Sequence, residues 1–279
     1  MRRMPADIQQ QAVTELEGGN VLFFPGLGFT LRDTEQDLLS SATPGSSKNI
    51  SWDGARGRLR GSDLDGPLRE ALLAMMARYA ASSRALLRAL LPDYGPALLP
   101  ARTSFRPVEA AGRSISWRKD DTRLHVDSFP SSPVQGRRIL RVFSNINPVG
   151  LARSWRLGGS FEAVAQRFLP SLTRPVWGSA RLLHWCSITR GERTPYDHYM
   201  LQLHDRMKAD GAYQSAPDII GCDFPPNTSW MVFTDQVPHA ARQGQYLLEQ
   251  TFLLPVAAQR DRSRAPLSVL EGLLGRVLV

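Results

Sequence analysis

Among the five histidines of this 279-residue chain, His125 stands two positions before Asp127 in Arg123-Leu-His-Val-Asp-Ser128. Residues i and i+2 of a strand share one face, so this imidazole and this carboxylate can reach one metal ion together. Two imidazoles and one carboxylate on one side of an iron leave three adjacent positions open, the arrangement of non-haem iron(II) oxygenases. A second imidazole is therefore required, and the segment Trp230-Met-Val-Phe-Thr-Asp-Gln-Val-Pro-His239 offers one. It reads as a strand, a turn and a histidine entering the next strand. His198 and His204 fall in a helical pattern six residues apart, off one face, and His184 has no carboxylate at matching spacing. The alternative for His125 and Asp127 is a surface strand with a local hydrogen bond.

If the cosubstrate is 2-oxoglutarate, its distal carboxylate needs a cation, and the planar fork of arginine suits it. Arg141 is the first candidate, because it interrupts the apolar run Ile139-Leu-Arg-Val-Phe143, where an unpartnered charge is costly. The strand after the distal histidine, where enzymes of this class often carry the cation, reads Leu248-Glu-Gln-Thr251 and has none. Thr251 can add a hydroxyl contact. The alternative is that Arg141 faces outward from an edge and Arg138 takes the carboxylate. Arg123 shares the face of His125 and Asp127, so it either lies beside the substrate or is a solvated charge at the strand start.

These residues must be positioned by the elements around them. Helical patterns cover residues 5–17 and 67–91, the second with Asp65 as cap, Pro67 in the first turn and Pro92 as the stop. Its apolar stripe is Leu68, Leu72, Met75, Met76 and Tyr79. Residues 21–25 read as a strand and 43–61 as a polar, glycine-rich loop. From about residue 102 short β-type runs recur, at 103–108, 114–117, 123–127, 139–145, 219–224, 228–234 and 246–254. Such spacing points to a sandwich or jelly roll, interrupted by helical patterns within 150–215. The chain thus reads as mainly β with helical additions (α+β), one domain over 1–279. Its parts are an N-terminal support (1–100), a core (101–255) and a tail (256–279).

Composition sets the limits. No apolar run approaches the roughly 20 residues of a membrane-spanning helix. Met1-Arg2-Arg3 lacks an apolar stretch behind it, so no cleaved signal is expected. Two distant cysteines, Cys186 and Cys222, argue against a disulfide framework and for a reducing, cytoplasmic setting. The net charge of +8 favours acidic partners. With no recognisable nucleic-acid motif, nucleic acid is not the expected one. In the tail, Leu267, Leu270, Leu274 and Val277 recur at helical spacing after Arg260, Arg262 and Arg264. Such a stretch can rest on a membrane surface or pack on the protein's own core or another subunit.

The stretch Arg123-Leu-His-Val-Asp-Ser-Phe-Pro-Ser-Ser-Pro133, with Gly136-Arg-Arg-Ile-Leu-Arg-Val-Phe-Ser-Asn-Ile-Asn147, resembles the Kdo hydroxylases. So do Gly19-Asn-Val-Leu-Phe-Phe-Pro25, Lys48-Asn-Ile-Ser51 and residues 230–240, and the likeness spans about residues 15–255. The resemblance implies a double-stranded β-helix (jelly roll, cupin-like) dioxygenase using Fe(II), 2-oxoglutarate and O2. It implies hydroxylation at C3 of 3-deoxy-D-manno-oct-2-ulosonic acid (Kdo) in Kdo-lipid A, giving Ko, succinate and CO2. The family's metal ligands then fall on His125, Asp127 and His239. The anionic glycolipid would explain the basic charge, with the protein at the cytoplasmic face of the inner membrane. Rival readings are a hydroxylase of another substrate, a non-catalytic cupin-like binding protein, or a nucleic-acid demethylase.

Overall fold

The computed structural model of the chain describes residues 4–40, 47–112, 115–216 and 218–279. The first part holds α1 (Ala6–Glu17), β1 (Leu22–Phe24), α2 (Asp33–Gln36), the hairpin β2 (Ile50–Asp53) and β3 (Arg58–Arg60), and the long α3 (Gly66–Leu90). Next come β4 (Leu99–Arg106), β5 (Arg138–Asn145) and β6 (Arg153–Leu157), then α4 (Phe161–Phe168), α5 (Ser179–Trp185), α6 (Pro195–Ala209) and α7 (Gly211–Gln214). The chain ends in β7 (Ile220–Phe224), β8 (Thr228–Phe233), β9 (His239–Gln243), β10 (Leu247–Leu254) and α8 (Pro266–Leu274).

Seven strands form one antiparallel sheet in the order β1-β8-β5-β10-β4-β2-β3, and three form a second, β7-β6-β9. The two pack as a jelly roll. Alternation along β5 shows how the layers divide the residues. Leu140 and Val142 face outward, into a core with Val13 and Leu16 of α1 and Leu87 of α3. Phe143 faces inward, into an aromatic layer with Trp155, Phe224 and Trp230 between the sheets. Because both faces of β5 are covered, all eight of its residues are buried, which is why its sequence reads as an apolar run rather than an alternation. On α3, Leu72, Met75, Met76 and Tyr79 pack against Phe105 and Leu248, while Leu68 at the edge of the stripe is exposed.

Four expectations differ. The loop expected over 43–61 contains the β2–β3 hairpin, whose strands of four and three residues are too short for their alternation to stand out; residues 43–46 lie outside the described residues, as do Met1 to Arg3. Residues 115 and 116 are not strand and Trp117–Lys119 is a 3-10 turn, while Ser114 is outside the described residues. Residues 123–127 do not form a continuous strand; a single bridge joins His125 to His239. The insertion begins later than residue 150, because Arg153–Leu157 is the central strand of the smaller sheet.

The tail folds back on the protein. Leu270 and Leu278 are fully buried in a cluster with Phe161 and Val164 of α4 and Leu203 of α6, and Leu267 and Leu274 pack against it. Of the apolar stripe only Val277 is left largely exposed. Arg276 donates to the Tyr199 hydroxyl, and Leu278 N to Glu271.

Candidate metal centre

Backbone hydrogen bonds place all three ligand candidates. His125 N donates to His239 O at 3.1 Å and His239 N to His125 O at 2.9 Å, a reciprocal antiparallel pair. Asp127 N donates to Thr234 O at 2.8 Å, in the turn between β8 and β9. The same-face geometry expected of a strand is thus obtained by two anchor points on that turn and on β9. One ligand atom from each of His125, Asp127 and His239 lies within 4.8 Å of the others.

The side chains are set for coordination. Nδ1 of His125 faces the Arg123 carbonyl at 2.7 Å, and Nδ1 of His239 faces the Val237 carbonyl at 2.8 Å. A carbonyl only accepts, so each Nδ1 carries the proton and each Nε2 keeps its lone pair for a metal. Trp155 stacks on the His239 ring at 5.1 Å and fixes its plane. Burial, with His239, Lys208 and His204 nearby, holds the His125 imidazole well below its ordinary pKa. Burial also lowers that of His239, against the pull of Asp127. Burial pushes the Asp127 carboxyl up, but Arg141, His239 and His125 outweigh it and leave the group well below the usual carboxylate range. Neutral imidazoles and an ionised carboxylate are the forms that bind a metal. Asp127 Oδ2 is buried and makes no well-aligned hydrogen bond, although the Arg141 guanidinium lies beside it. The donor set therefore fits iron(II) in a two-histidine, one-carboxylate site.

Arg141 sits on the inward face of β5, with Nη1 3.1 Å from Asp127 Oδ2 and 3.5 Å from Glu249 Oε1. Its Nε is buried without a partner, and Phe129 flanks its guanidinium at 5.4 Å. Arg141 and Thr251, paired across β5 and β10, line a cavity of about 950 Å³. The three ligand candidates do not line it themselves; Arg141 stands between them and the open space. Phe129-Pro-Ser-Ser-Pro133, just after the His-x-Asp segment, also lines the cavity.

Arg138, three residues before Arg141, points to the other face. It is fully buried, with Nε 2.7 Å from Asp235 Oδ2, Nη2 2.6 Å from Gln236 Oε1 and its guanidinium 4.0 Å over the Phe233 ring. It does not line the cavity. Nor does Arg123, whose Nη1 donates to the Lys208 carbonyl at 2.8 Å and whose Nε lies 3.4 Å from Asp120. Its parity with His125 holds only where the segment is strand, and at residue 123 it is not.

Three neighbours were not singled out by the sequence. His204 on α6 packs edge-on against His125 at 5.2 Å. Lys208, one helical turn on, is buried with Nζ on the Arg118 carbonyl at 3.1 Å. Arg106 on β4 bridges Glu249 at 2.8 Å and Asp121 at 3.1 Å. Inward parity on β4 and β10 is the signal that would have paired Arg106 with Glu249.

A jelly roll holding two imidazoles and a carboxylate against an arginine-lined cavity defines the class: non-haem iron(II) oxygenases. Within that class, the model of the family described as 3-deoxy-D-manno-oct-2-ulosonic acid (Kdo) hydroxylase matches residues 2–277. The chain belongs to this family. It is 48% identical to the Kdo hydroxylase KdoO, a non-haem Fe(II) α-ketoglutarate-dependent dioxygenase solved with α-ketoglutarate and Fe(III). The two superpose with a TM-score of 0.96 over 100% of this chain and 94% of that one. The cobalt(II) complex of KdoO gives the same values, and its complex with succinate and Fe(III) a TM-score of 0.95 at the same identity and coverage. No protein in the curated set matches the chain.

Proposed function

We propose that the chain hydroxylates C3 of Kdo in Kdo-lipid A, converting Kdo to Ko and releasing succinate and CO2. As a Kdo hydroxylase it is an Fe(II)/2-oxoglutarate-dependent dioxygenase. In this reading His125, Asp127 and His239 hold the iron, and Arg141, with the Thr251 hydroxyl beside it, takes the distal carboxylate of 2-oxoglutarate. The observation that carries it is the contact of Arg141 with Asp127, which joins the ligand set to the cavity. Bound iron supplies O2 activation coupled to decarboxylation of the oxoacid, chemistry that no side chain here provides. The polypeptide supplies position: two lone pairs fixed by Nδ1–carbonyl bonds, a carboxylate tethered to Thr234, and a half-free guanidinium in a walled cavity. The test is mass spectrometry of Kdo-lipid A after incubation with iron and O2. A mass gain of one oxygen is expected only with 2-oxoglutarate present; an unchanged glycolipid with succinate released on another acceptor would overturn the substrate.

The same proposal includes peripheral contact with the cytoplasmic face of the inner membrane. No described helix is long and apolar enough to cross a bilayer, and the tail packs on α4 and α6. The better surface is around α5. Trp177 is 96% and Trp185 83% exposed, with Val176, Leu182 and Ile188 also open to solvent, and Arg174, Arg181, Arg190 and Arg193 lie among them. Exposed indoles beside arginines suit the anionic headgroup layer, and Arg190 lies on the cavity wall. The double variant Trp177→Ser/Trp185→Ser should pellet with anionic vesicles about tenfold more weakly. Removal of residues 266–279 should act through folding; a folded truncation that no longer pelleted would return the role to the tail.

A further inference from the structure

Away from the metal centre, five arginines gather at one rim of the cavity. Arg56, Arg58, Arg60, Arg102 and Arg190 surround a small recess with Ser51 and Asp53, and Ser51, Asp53, Arg102 and Arg190 also line the main cavity. Five cations thus meet one carboxylate, and that carboxylate lies 3.7 Å from Arg56. Among the described residues no carboxylate pairs with Arg58, Arg60, Arg102 or Arg190.

The fold puts them there deliberately in register. Asp53 pairs with Arg58, and Ser51 with Arg60, across the hairpin, while Ser51 also pairs with Ser104 on β4. Alternation then gives Arg58, Arg60 and Arg102 the same inward face, and Leu59 between them packs on the outer core. Arg190 arrives from the segment after α5, its backbone N on the Ser131 carbonyl at 2.9 Å. Burial, and after it the nearness of Arg190 and Arg60, lowers the Arg102 guanidinium from its ordinary value. Like charges gathered this way repel, and an anion held in arginine forks relieves the repulsion.

The position decides which anion. Counting β5, β10, β4, β2, β3, the hairpin lies three to four strand spacings from the strand of Arg141, on the order of 14–19 Å. Kdo's own carboxylate is attached to the carbon beside C3, so it stays near the iron when C3 reacts. We propose that the arginine rim is a subsite for a second anionic group of the acceptor, a phosphate monoester or a second sugar-acid carboxylate, carried on the glycan beyond the hydroxylated residue. This rests on the Kdo hydroxylase reading.

The test uses Arg58→Gln/Arg60→Gln, two exposed positions whose side chains have no ion pair to lose. Binding of Kdo-lipid A in detergent is titrated without iron or 2-oxoglutarate. The acceptors are the intact glycolipid, the same glycolipid with its phosphates removed, and forms carrying one or two Kdo units. On the anion-bearing acceptor the variant should raise Kd at least about tenfold. On the acceptor lacking the anion that sits at the rim, wild type and variant should bind alike; the arm in which the difference vanishes names the source. A variant that weakens every acceptor equally, or none, overturns the subsite. Failure of the Kdo reading would show separately, as wild type yielding no product from any acceptor while the binding contrast is still measured.

Discussion

Asp127→Ala, and independently His125→Ala, should abolish 2-oxoglutarate-dependent succinate release while leaving the thermal transition in place. The positions of these residues are set by main-chain bonds, His125 to His239 and Asp127 to Thr234, which alanine keeps. What is lost is a donor, together with the charge balance of the site. Asp127 is the one carboxylate of the candidate ligand set and a closer counter-charge to Arg141 than Glu249; without it Arg141 retains Glu249 at 3.5 Å, so the cation is not stranded. Loss of an outer-shell partner already costs about 10–100-fold in metal affinity or activity, and loss of a ligand costs more. Iron binding read by equilibrium dialysis should fall together with turnover. Full activity in either variant would remove the metal assignment, and a collapsed melting transition would show that the side chains serve folding instead.

That His125, Asp127 and His239 come together was legible in the sequence because the logic is local. Strand parity needs only two residues to be extended, and His125 and Asp127 share a face even though the regular strand around them is absent. The strand-turn-strand pattern before His239 is equally local, and so is the helical stripe of α3. Arg141 was legible as a charge in an apolar run, but not its partners, since Asp127 and Glu249 come from segments that only the sheet order brings together. The β2–β3 hairpin was hidden for a physical reason: its strands are four and three residues long, so the alternations Ile50-Ser-Trp-Asp53 and Arg58-Leu-Arg60 are too short to stand out from the glycines and polar residues around them. Arg123 was read from parity, either beside the substrate or as a solvated charge. Its parity was read correctly from an extended chain, but a turn at that point sends the guanidinium to Lys208 and Asp120.

Arg138 and Arg141 give the sharpest contrast, because three residues along a strand reverse the face. Arg138→Met should leave the affinity for 2-oxoglutarate nearly unchanged in whatever protein remains folded, and should destabilise the chain severely. It strips the cation from Asp235, a fully buried carboxylate whose pKa burial raises even with Arg138 in contact. Breaking a buried pair on one side costs about 3–5 kcal/mol, and in a chain of this size a loss of that order lowers Tm by roughly 10 °C. Asp235 and Gln236 belong to the turn before His239, and Gln236 also donates to Glu17 O at 3.0 Å, so the loss falls on the packing of that turn against α1. Adding Asp235→Asn should return part of the stability, since no charge is then left buried. Arg141→Met should do the reverse. In the iron-loaded protein Asp127 has the metal and Glu249 keeps Arg106 at 2.8 Å, so Tm should move little. KM for 2-oxoglutarate should rise on the order of 100-fold, the loss of two charge-assisted bonds. If Arg138→Met raises that KM and Arg141→Met does not, the cosubstrate cation has been placed on the wrong face of β5.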